Sequence, residues 1–203
     1  MAEDHRKSKP NLGFLTVLEH PQHGLFGGYL VLNAAAQPLE FHCTAPIKPN
    51  RAQEILYGPT LQSFLYGEQI GRTLLEKSKK SPEFICTDCP PALTVRQHIS
   101  APVLLVLPGD DGPGNDDADD EPSRILRLDG AHPGGFDAVR FDASGGRLTT
   151  FRLGRNRLAV SEQADDDRRT ITEQFGELVE SLDLSEPFGR IREAIEEAQQ
   201  AAR

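Results

Sequence analysis

The sequence predicts an α+β fold in which a mixed or antiparallel sheet is covered by a central helix and two C-terminal amphipathic helices. Short segments rich in β-branched and aromatic residues, separated by turn formers, occur in both halves of the chain. Apolar residues recur at helical spacing from Leu61 to Leu75 and again from Ile171 to Ala198. These periodic segments supply enough apolar surface for a core, so a globally disordered chain is excluded.

The first half predicts three strands followed by helices. Strands at 12–18, 29–33 and 39–44 are separated by a loop at 19–28 and a short connection, which favours an antiparallel hairpin or meander. Asn50 with Gln53 three residues later has the spacing of a capping box, and Gly58 followed by proline ends the short helix that it opens. The central helix then extends to Leu75.

The remaining elements follow in order. A strand at 84–87, a short helix at 92–99 and a strand at 103–107 predict a parallel crossover. Four strand-like segments come next, at 124–128, 136–141, 147–153 and 157–161, with glycine-containing turns between the last three. Two helices with apolar stripes end the chain.

Charge and composition set the predicted domain organisation. Residues 1–11 are polar and predict a flexible tail. Seven acidic residues lie between 110 and 121, without a basic residue, and removing them changes the formal net charge from −9 to −2. This run predicts a disordered acidic loop at 109–122. We predict one domain over 12–203, because each half alone is poor in apolar residues; the alternative is two subdomains, 12–108 and 123–203.

Net charge and the length of the apolar runs argue against nucleic-acid and membrane partners. A net negative charge argues against binding nucleic acid through its phosphates. The longest apolar run, 103–107, is too short to span a bilayer, and the N-terminus lacks the apolar stretch of a signal peptide. We therefore expect a cytoplasmic protein with no nucleic-acid or membrane partner. Cytoplasmic thiols stay reduced, so the three cysteines do not predict disulfides.

The alternation of side chains between the two faces of a strand favours core packing for two of the cysteines. Cys43 shares a predicted strand face with Leu39 and Phe41, and Cys86 shares one with Phe84. Both cysteines therefore occupy positions where a small apolar residue would be expected, and free cysteine is among the most buried residue types.

A zinc site is an alternative interpretation. Cys43, Cys86 and Cys89 with His98 or His42 would form a tetrahedral Cys3His set. The C-x-x-C pair suits two ligands of one ion. However, structural zinc modules usually contain two such pairs and this chain has one.

A reactive thiol is the third interpretation. Cys89 is predicted at a helix N-terminus, where the helix dipole lowers a thiol pKa. A C-x-x-C between a strand and a helix resembles the redox motif of thioredoxin-like proteins. The segment from Cys89 to Pro102 is too short for that fold, and Asp88 would oppose a thiolate.

The function expected from the sequence is that of a non-enzymatic interaction or adaptor protein without a cofactor. No nucleophile elbow, phosphate-binding loop or His-Glu-x-x-His motif is present. The predicted contact surface for a protein partner is the set of apolar residues on the C-terminal helices: Ile171, Phe175, Leu178, Phe188, Ile191 and Ile195. The alternative is a zinc- or thiol-dependent protein that uses the three cysteines.

Overall fold

The computed structural model describes residues 10–108, 125–127 and 147–201. These residues form one eight-stranded mixed sheet with helices on both faces, in the strand order β3-β2-β1-β4-β5-β8-β7-β6. The predicted α+β fold is confirmed. Most of the predicted tail, the acidic segment 109–122 and the strand expected at 136–141 lie outside the described residues. No helix within the described ranges is long and apolar enough to cross a membrane.

The first three strands form an antiparallel meander: β1 (Asn11–His20), β2 (Gly24–Asn33) and β3 (Pro38–Cys43). β1 and β2 pair along their whole lengths, so the predicted loop at 19–28 is wrong and only residues 21–23 form the turn. Leu25 and Phe26 explain the difference, because both are buried in strand positions. Gly28 in the same strand allows close packing, since a Cβ there would lie 2.3 Å from Cγ2 of Ile191.

A series of consecutive helical segments follows β3, and its last two segments pack on one face of the sheet. It begins with α1 (Arg51–Tyr57), a 3-10 turn (Gly58–Thr60) and a short α2 (Leu61–Ser63), and continues as a π-helix (Phe64–Arg72) and α3 (Thr73–Lys77). The predicted capping box is confirmed, since the Gln53 amide donates to Asn50 Oδ1 at 2.9 Å and the Asn50 amide donates to Gln53 Oε1 at 3.0 Å.

The parallel part of the sheet lies at its centre. β4 (Phe84–Thr87) and β5 (Val103–Val106) run parallel to β1, which confirms the predicted crossover. The connection is a 3-10 segment (Pro90–His98), not an α-helix. β7 (Arg147–Leu153) and β8 (Asn156–Ser161) form a hairpin that turns at Gly154 with φ +57°, β8 pairs with β5, and β6 (Ile125–Arg127) pairs with β7.

Two C-terminal helices, α4 (Asp165–Ser181) and α5 (Glu186–Ala201), cover the other face. Their apolar stripes are part of the core and not a surface open to a partner. Ile171, Phe188, Ile191 and Ile195 are at most 2% exposed, and Phe175 and Leu178 pack against the same cluster. The sequence identified the stripes but not their use, because a helix face that packs on a sheet has the same periodicity as one that binds a partner.

Buried polar contacts connect the second half of the chain to the first. Asp167 is 2% exposed and accepts two hydrogen bonds from Arg96, at 2.8 and 3.1 Å, and one from the Val103 amide at 3.2 Å. Asn156 links the β7–β8 hairpin to the α4–α5 connection, because its side chain bonds the carbonyls of Val179 and Leu182 and the amide of Leu184. The two halves thus share one sheet and one hydrogen-bonded interior.

Candidate functional site

Four strands from the first half of the chain end at the same edge of the sheet, which we call the carboxyl edge. β1, β4 and β5 are parallel, and β3 shares their direction because it is separated from β1 by one antiparallel strand. In sheets that contain parallel strands, ligand sites form preferentially outside the carboxyl ends of those strands. The polar side chains at this edge are therefore the first candidates for function.

Cys89 lies at the centre of the carboxyl edge, between the ends of β1 and β4. Its Sγ is 3.4 Å from the Val17 amide nitrogen, 3.5 Å from the Val17 carbonyl oxygen and 3.8 Å from Thr16 Oγ1. Burial, followed by the nearby Asp88 carboxylate, raises the pKa of the Cys89 thiol to about 12. The predicted thiol activation is therefore corrected: the segment that follows is a 3-10 turn that begins with two prolines, and burial outweighs any dipole.

The groups around Cys89 are mostly uncharged or already paired. Asp88 forms an ion pair with Arg192 of α5. Thr87 is fully buried, and its hydroxyl accepts a hydrogen bond from the Cys89 amide at 3.1 Å. The pKa of Tyr66 is raised to about 12, chiefly by burial and then by Cys89 and Glu19. Together these groups surround Cys89 with polar side chains that are largely buried or paired.

The structure does not bring the proposed zinc ligands together. Cys43 is exposed on β3, Cys86 is buried beneath the C-terminal helices, and Cys89 lies at the carboxyl edge. His98 is exposed at the far end of the 3-10 segment. In the described part of the chain no three His, Cys, Asp or Glu side chains are placed to hold a metal ion, so the predicted zinc site is wrong.

The two cysteines for which strand alternation predicted core packing differ in their burial. Cys86 is fully buried, as expected, and burial raises its pKa. Cys43 is exposed, and Leu39 and Phe41, which lie on the same face of β3, are 42% and 38% exposed. Parity assigned the correct face to Cys43, but β3 is the outer strand of the sheet, so that face is only partly covered.

An exposed apolar segment projects from the molecule at the carboxyl edge. Residues 51–62, which we call the α1 projection, contain no buried side chain. Ile55 is 66% exposed and Leu56 is 82% exposed, which makes them the most exposed of the large apolar residues described. Tyr57 stacks on Phe64 with ring centroids 4.0 Å apart and an interplanar angle of 18°. Adjacent exposed aliphatic residues of this kind mark interaction sites.

Contacts between residues 20 and 48 position the α1 projection at this edge. The chain leaving β3 bridges back to β2 through Ile47 and Leu25, and Lys48 donates a hydrogen bond to the Gln22 carbonyl in the β1–β2 turn. His20 and His23 lie in and beside that turn, with ring centroids 4.6 Å apart. The projection therefore starts next to a cation and two imidazoles.

A second polar cluster, around Glu40, lies near the opposite edge. The Glu40 carboxylate accepts hydrogen bonds from the amides of Lys79 and Lys80, from Ser78 Oγ at 3.0 Å and from His42 Nε2 at 2.6 Å. Bonding to the Lys79 amide and to His42 lowers the pKa of Glu40 to about 2. Since these bonds attach the end of α3 to β3, we interpret the cluster as structural.

Comparison with known proteins gives similarity at the level of overall shape. No protein-family model matches the chain, and no curated protein matches it. The catalytic domain of human endonuclease V has a TM-score of 0.47 and 11% identity, with 96% of this chain and 85% of that chain covered. A Ciona intestinalis endonuclease V variant, solved with a 23mer DNA that contains inosine, has a TM-score of 0.37, 7% identity and coverages of 75% and 70%. A second human endonuclease V structure has a TM-score of 0.37 and 14% identity, with coverages of 95% and 87%.

These neighbours correct the expected function class. They are endonucleases, one of them bound to DNA, so the predictions of a non-enzymatic protein-binding adaptor and of no nucleic-acid partner are wrong. The prediction of no nucleic-acid partner used the net charge of the whole chain. Seven of the acidic residues lie in one segment, and residues 10–108 contain seven basic and seven acidic residues. At these TM-scores and identities, the likeness assigns no activity to this chain.

Proposed function

We propose that this protein binds single-stranded nucleic acid along the carboxyl edge, with the α1 projection as its principal contact. The observation that carries the proposal is the exposure of Ile55 and Leu56 in a segment with no buried side chain. Aliphatic side chains that wedge between the base steps of a duplex are a known protein contact with nucleic acid, and the exposed bases of a single strand offer the same apolar contact. The Tyr57–Phe64 stack beside them supports the proposal, because aromatic rings provide stacking platforms for bases.

The charges near the projection favour a single strand over a duplex. Binding to duplex backbone requires many phosphate contacts from basic residues, whereas residues 10–108 have no formal net charge. Lys48 lies at the β1–β2 turn beside the histidine pair, and Arg51 opens α1 in an exposed pair with Glu54. Two nearby cations give a weak phosphate contribution, so stacking supplies most of the affinity.

The donor set at the carboxyl edge favours binding without metal-dependent cleavage. Of the groups at the ends of β1 and β4, Thr16, Thr87 and Cys89 are uncharged at neutral pH, and Glu19 is an exposed carboxylate. Asp88 contributes one carboxylate, and Arg192 is its partner. A cytoplasmic location belongs to the same proposal, and the three unpaired cysteines are compatible with it.

Fluorescence anisotropy tests the proposal with the full chain and labelled DNA and RNA strands of about 20 nucleotides, in about 50 mM salt. We expect saturable binding to single strands and weaker binding to the matching duplex. The double variant Ile55→Gln, Leu56→Gln should bind at least about tenfold more weakly, since burying one isoleucine or leucine side chain against a base contributes about 1.5–3 kcal/mol. Glutamine is a good helix former and both positions are exposed, so the fold should be retained.

Leu39→Gln is the matched control, because Leu39 is an exposed leucine at the start of β3, far from the carboxyl edge. It should leave the affinity unchanged. If the chain binds neither the DNA nor the RNA single strand, the proposal is overturned. Equal losses of affinity in the double variant and in Leu39→Gln would overturn it as well. Each titrated strand is afterwards run on a denaturing gel with Mg²⁺ present, and efficient cleavage would overturn the non-cleaving part.

A further inference from the structure

The outer strand β3 combines unpaired backbone groups with a partly covered apolar face. Leu39 and Phe41 are 42% and 38% exposed, and Cys43 at the strand end is exposed as well. Phe41 pairs in register with Leu30, which belongs to the core under the C-terminal helices. The apolar layer on that face therefore continues onto β3, where the described chain covers it only partly. Natural proteins usually protect such edges with charges or prolines, and β3 carries Glu40 and, at its start, Pro38.

The pairing with β2 fixes which β3 amides are unpaired. The Thr44 amide donates to the Gly27 carbonyl at 3.0 Å. Because bonded and non-bonded pairs alternate along an antiparallel ladder, His42 also bonds to β2, while Cys43 and Phe41 direct their amide and carbonyl groups away from it. Phe41 thus presents both a free donor and a free acceptor at the middle of the edge.

From this geometry we propose that a second copy of the chain pairs with β3 as an antiparallel, twofold-related strand centred on Phe41. This register places each Phe41 opposite its counterpart and aligns outward-facing backbone groups on both strands. It also places Glu40 opposite His42 of the second copy, and Leu39 opposite Cys43. The strand is therefore complementary to itself in hydrogen bonding and in apolar contact.

The neighbouring registers lack this complementarity. Centring the pair on Glu40 places two carboxylates opposite each other, which is destabilising. Glu40 is ionised throughout the neutral range, since its hydrogen bonds lower its pKa to about 2. Centring on His42 opposes two imidazoles and joins residues whose amides already bond to β2. Charge and hydrogen bonding therefore select the Phe41-centred pair.

The size of the interface predicts a weak dimer. β3 has six residues, and stable interfaces usually bury about 1,200–2,000 Å² in total, more than two short strands provide. We therefore expect a monomer–dimer equilibrium that depends on concentration, measured by sedimentation velocity from about 5 to about 500 µM. Phe41→Pro removes the outward donor and the ring but no bond to β2, and should weaken dimerisation at least about tenfold.

Disulfide trapping tests the register independently of that variant. Phe41→Cys in a Cys43→Ser background places two thiols opposite each other at the twofold axis. The Cα separation of about 5.5 Å expected for a bonded pair fits a disulfide. Mild oxidation should produce a covalent dimer. Ile55→Cys in the same background is the matched control, because it is an exposed thiol far from β3, and it should stay mainly monomeric.

The proposal is supported if the full chain dimerises, Phe41→Pro weakens the dimer and the Phe41→Cys variant forms its disulfide faster than the Ile55→Cys control. A chain that stays monomeric at the highest concentration overturns it. A dimer that Phe41→Pro does not affect, with equal coupling in the two cysteine variants, also overturns it, because the copies then meet elsewhere. If Phe41→Pro unfolds, judged by circular dichroism, the trapping experiment alone decides.

Discussion

The contact between Asp167 and Arg96 should be among the most stabilising polar interactions in the molecule. The Asp167 side chain is 3% exposed, while that of Arg96 is 35% exposed. Asp167→Ala removes the two guanidinium bonds and leaves the buried Val103 amide of β5 without its acceptor. Breaking a buried ion pair costs about 3–5 kcal/mol, and the partial exposure of Arg96 places this pair at the lower end. We therefore expect a loss of about 3 kcal/mol.

Urea unfolding at neutral pH, followed by circular dichroism, measures this loss. Asp166→Ala is the matched control, because Asp166 lies in the same first turn of α4 but its side chain is 84% exposed. The side chain of its ion-pair partner, Arg169, is 67% exposed. The helix dipole acts similarly on both aspartates, so the control isolates burial and pairing, and it should cost under about 0.5 kcal/mol. A loss below about 1 kcal/mol for Asp167→Ala, or equal losses in the two variants, would refute the reasoning.

Three further predictions concern thiols, packing and pH. With a thiol reagent near pH 8, one cysteine of the native chain, Cys43, should react quickly, and all three should react in the denatured chain. Two or three fast-reacting thiols in the native chain would contradict the burial of Cys86 and Cys89. Gly28→Ala should lower the free energy of unfolding by about 2 kcal/mol, because the new Cβ would overlap Ile191 of α5. Gly189→Ala in α5 is the control, since its Cβ meets open space and should stabilise the helix slightly. Losses of stability of similar size in the two variants would refute the packing argument. Stability should fall above about pH 9, because the Cys89 pKa is higher in the folded chain than in the unfolded one, and a Cys89→Ala variant should show a shallower decline.

The sequence predicted elements whose signals are local. The capping box at Asn50 and Gln53, the hairpin turn at Gly154 and the apolar periodicity of α4 and α5 all lie within a few residues, so they could be read without tertiary information. The loop expected at 19–28 failed because glycines usually mark turns. In β2 two glycines instead make room for helices that pack from both faces, which is a tertiary requirement.

Exposure was the property that the sequence could not supply. Parity assigned Cys43 to an apolar face, but only the strand order shows that β3 is an edge strand. Ile55 and Leu56 resemble a short amphipathic turn in sequence, and only the tertiary structure shows that nothing covers them. The Arg96–Asp167 pair has a separation of 71 residues, and no local pattern marks it. The candidate site therefore had to be found from the structure.

Photo-crosslinking tests the central claim, that the α1 projection contacts a nucleic-acid strand, most directly. A single strand substituted with 4-thiouridine is irradiated with the full chain, and the crosslinked peptides are identified by mass spectrometry. We predict crosslinks within residues 51–64 and at the turn near His20 and His23, and their loss in the Ile55→Gln, Leu56→Gln variant. Crosslinks confined to other surfaces, or a pattern that this variant leaves unchanged, would contradict the claim.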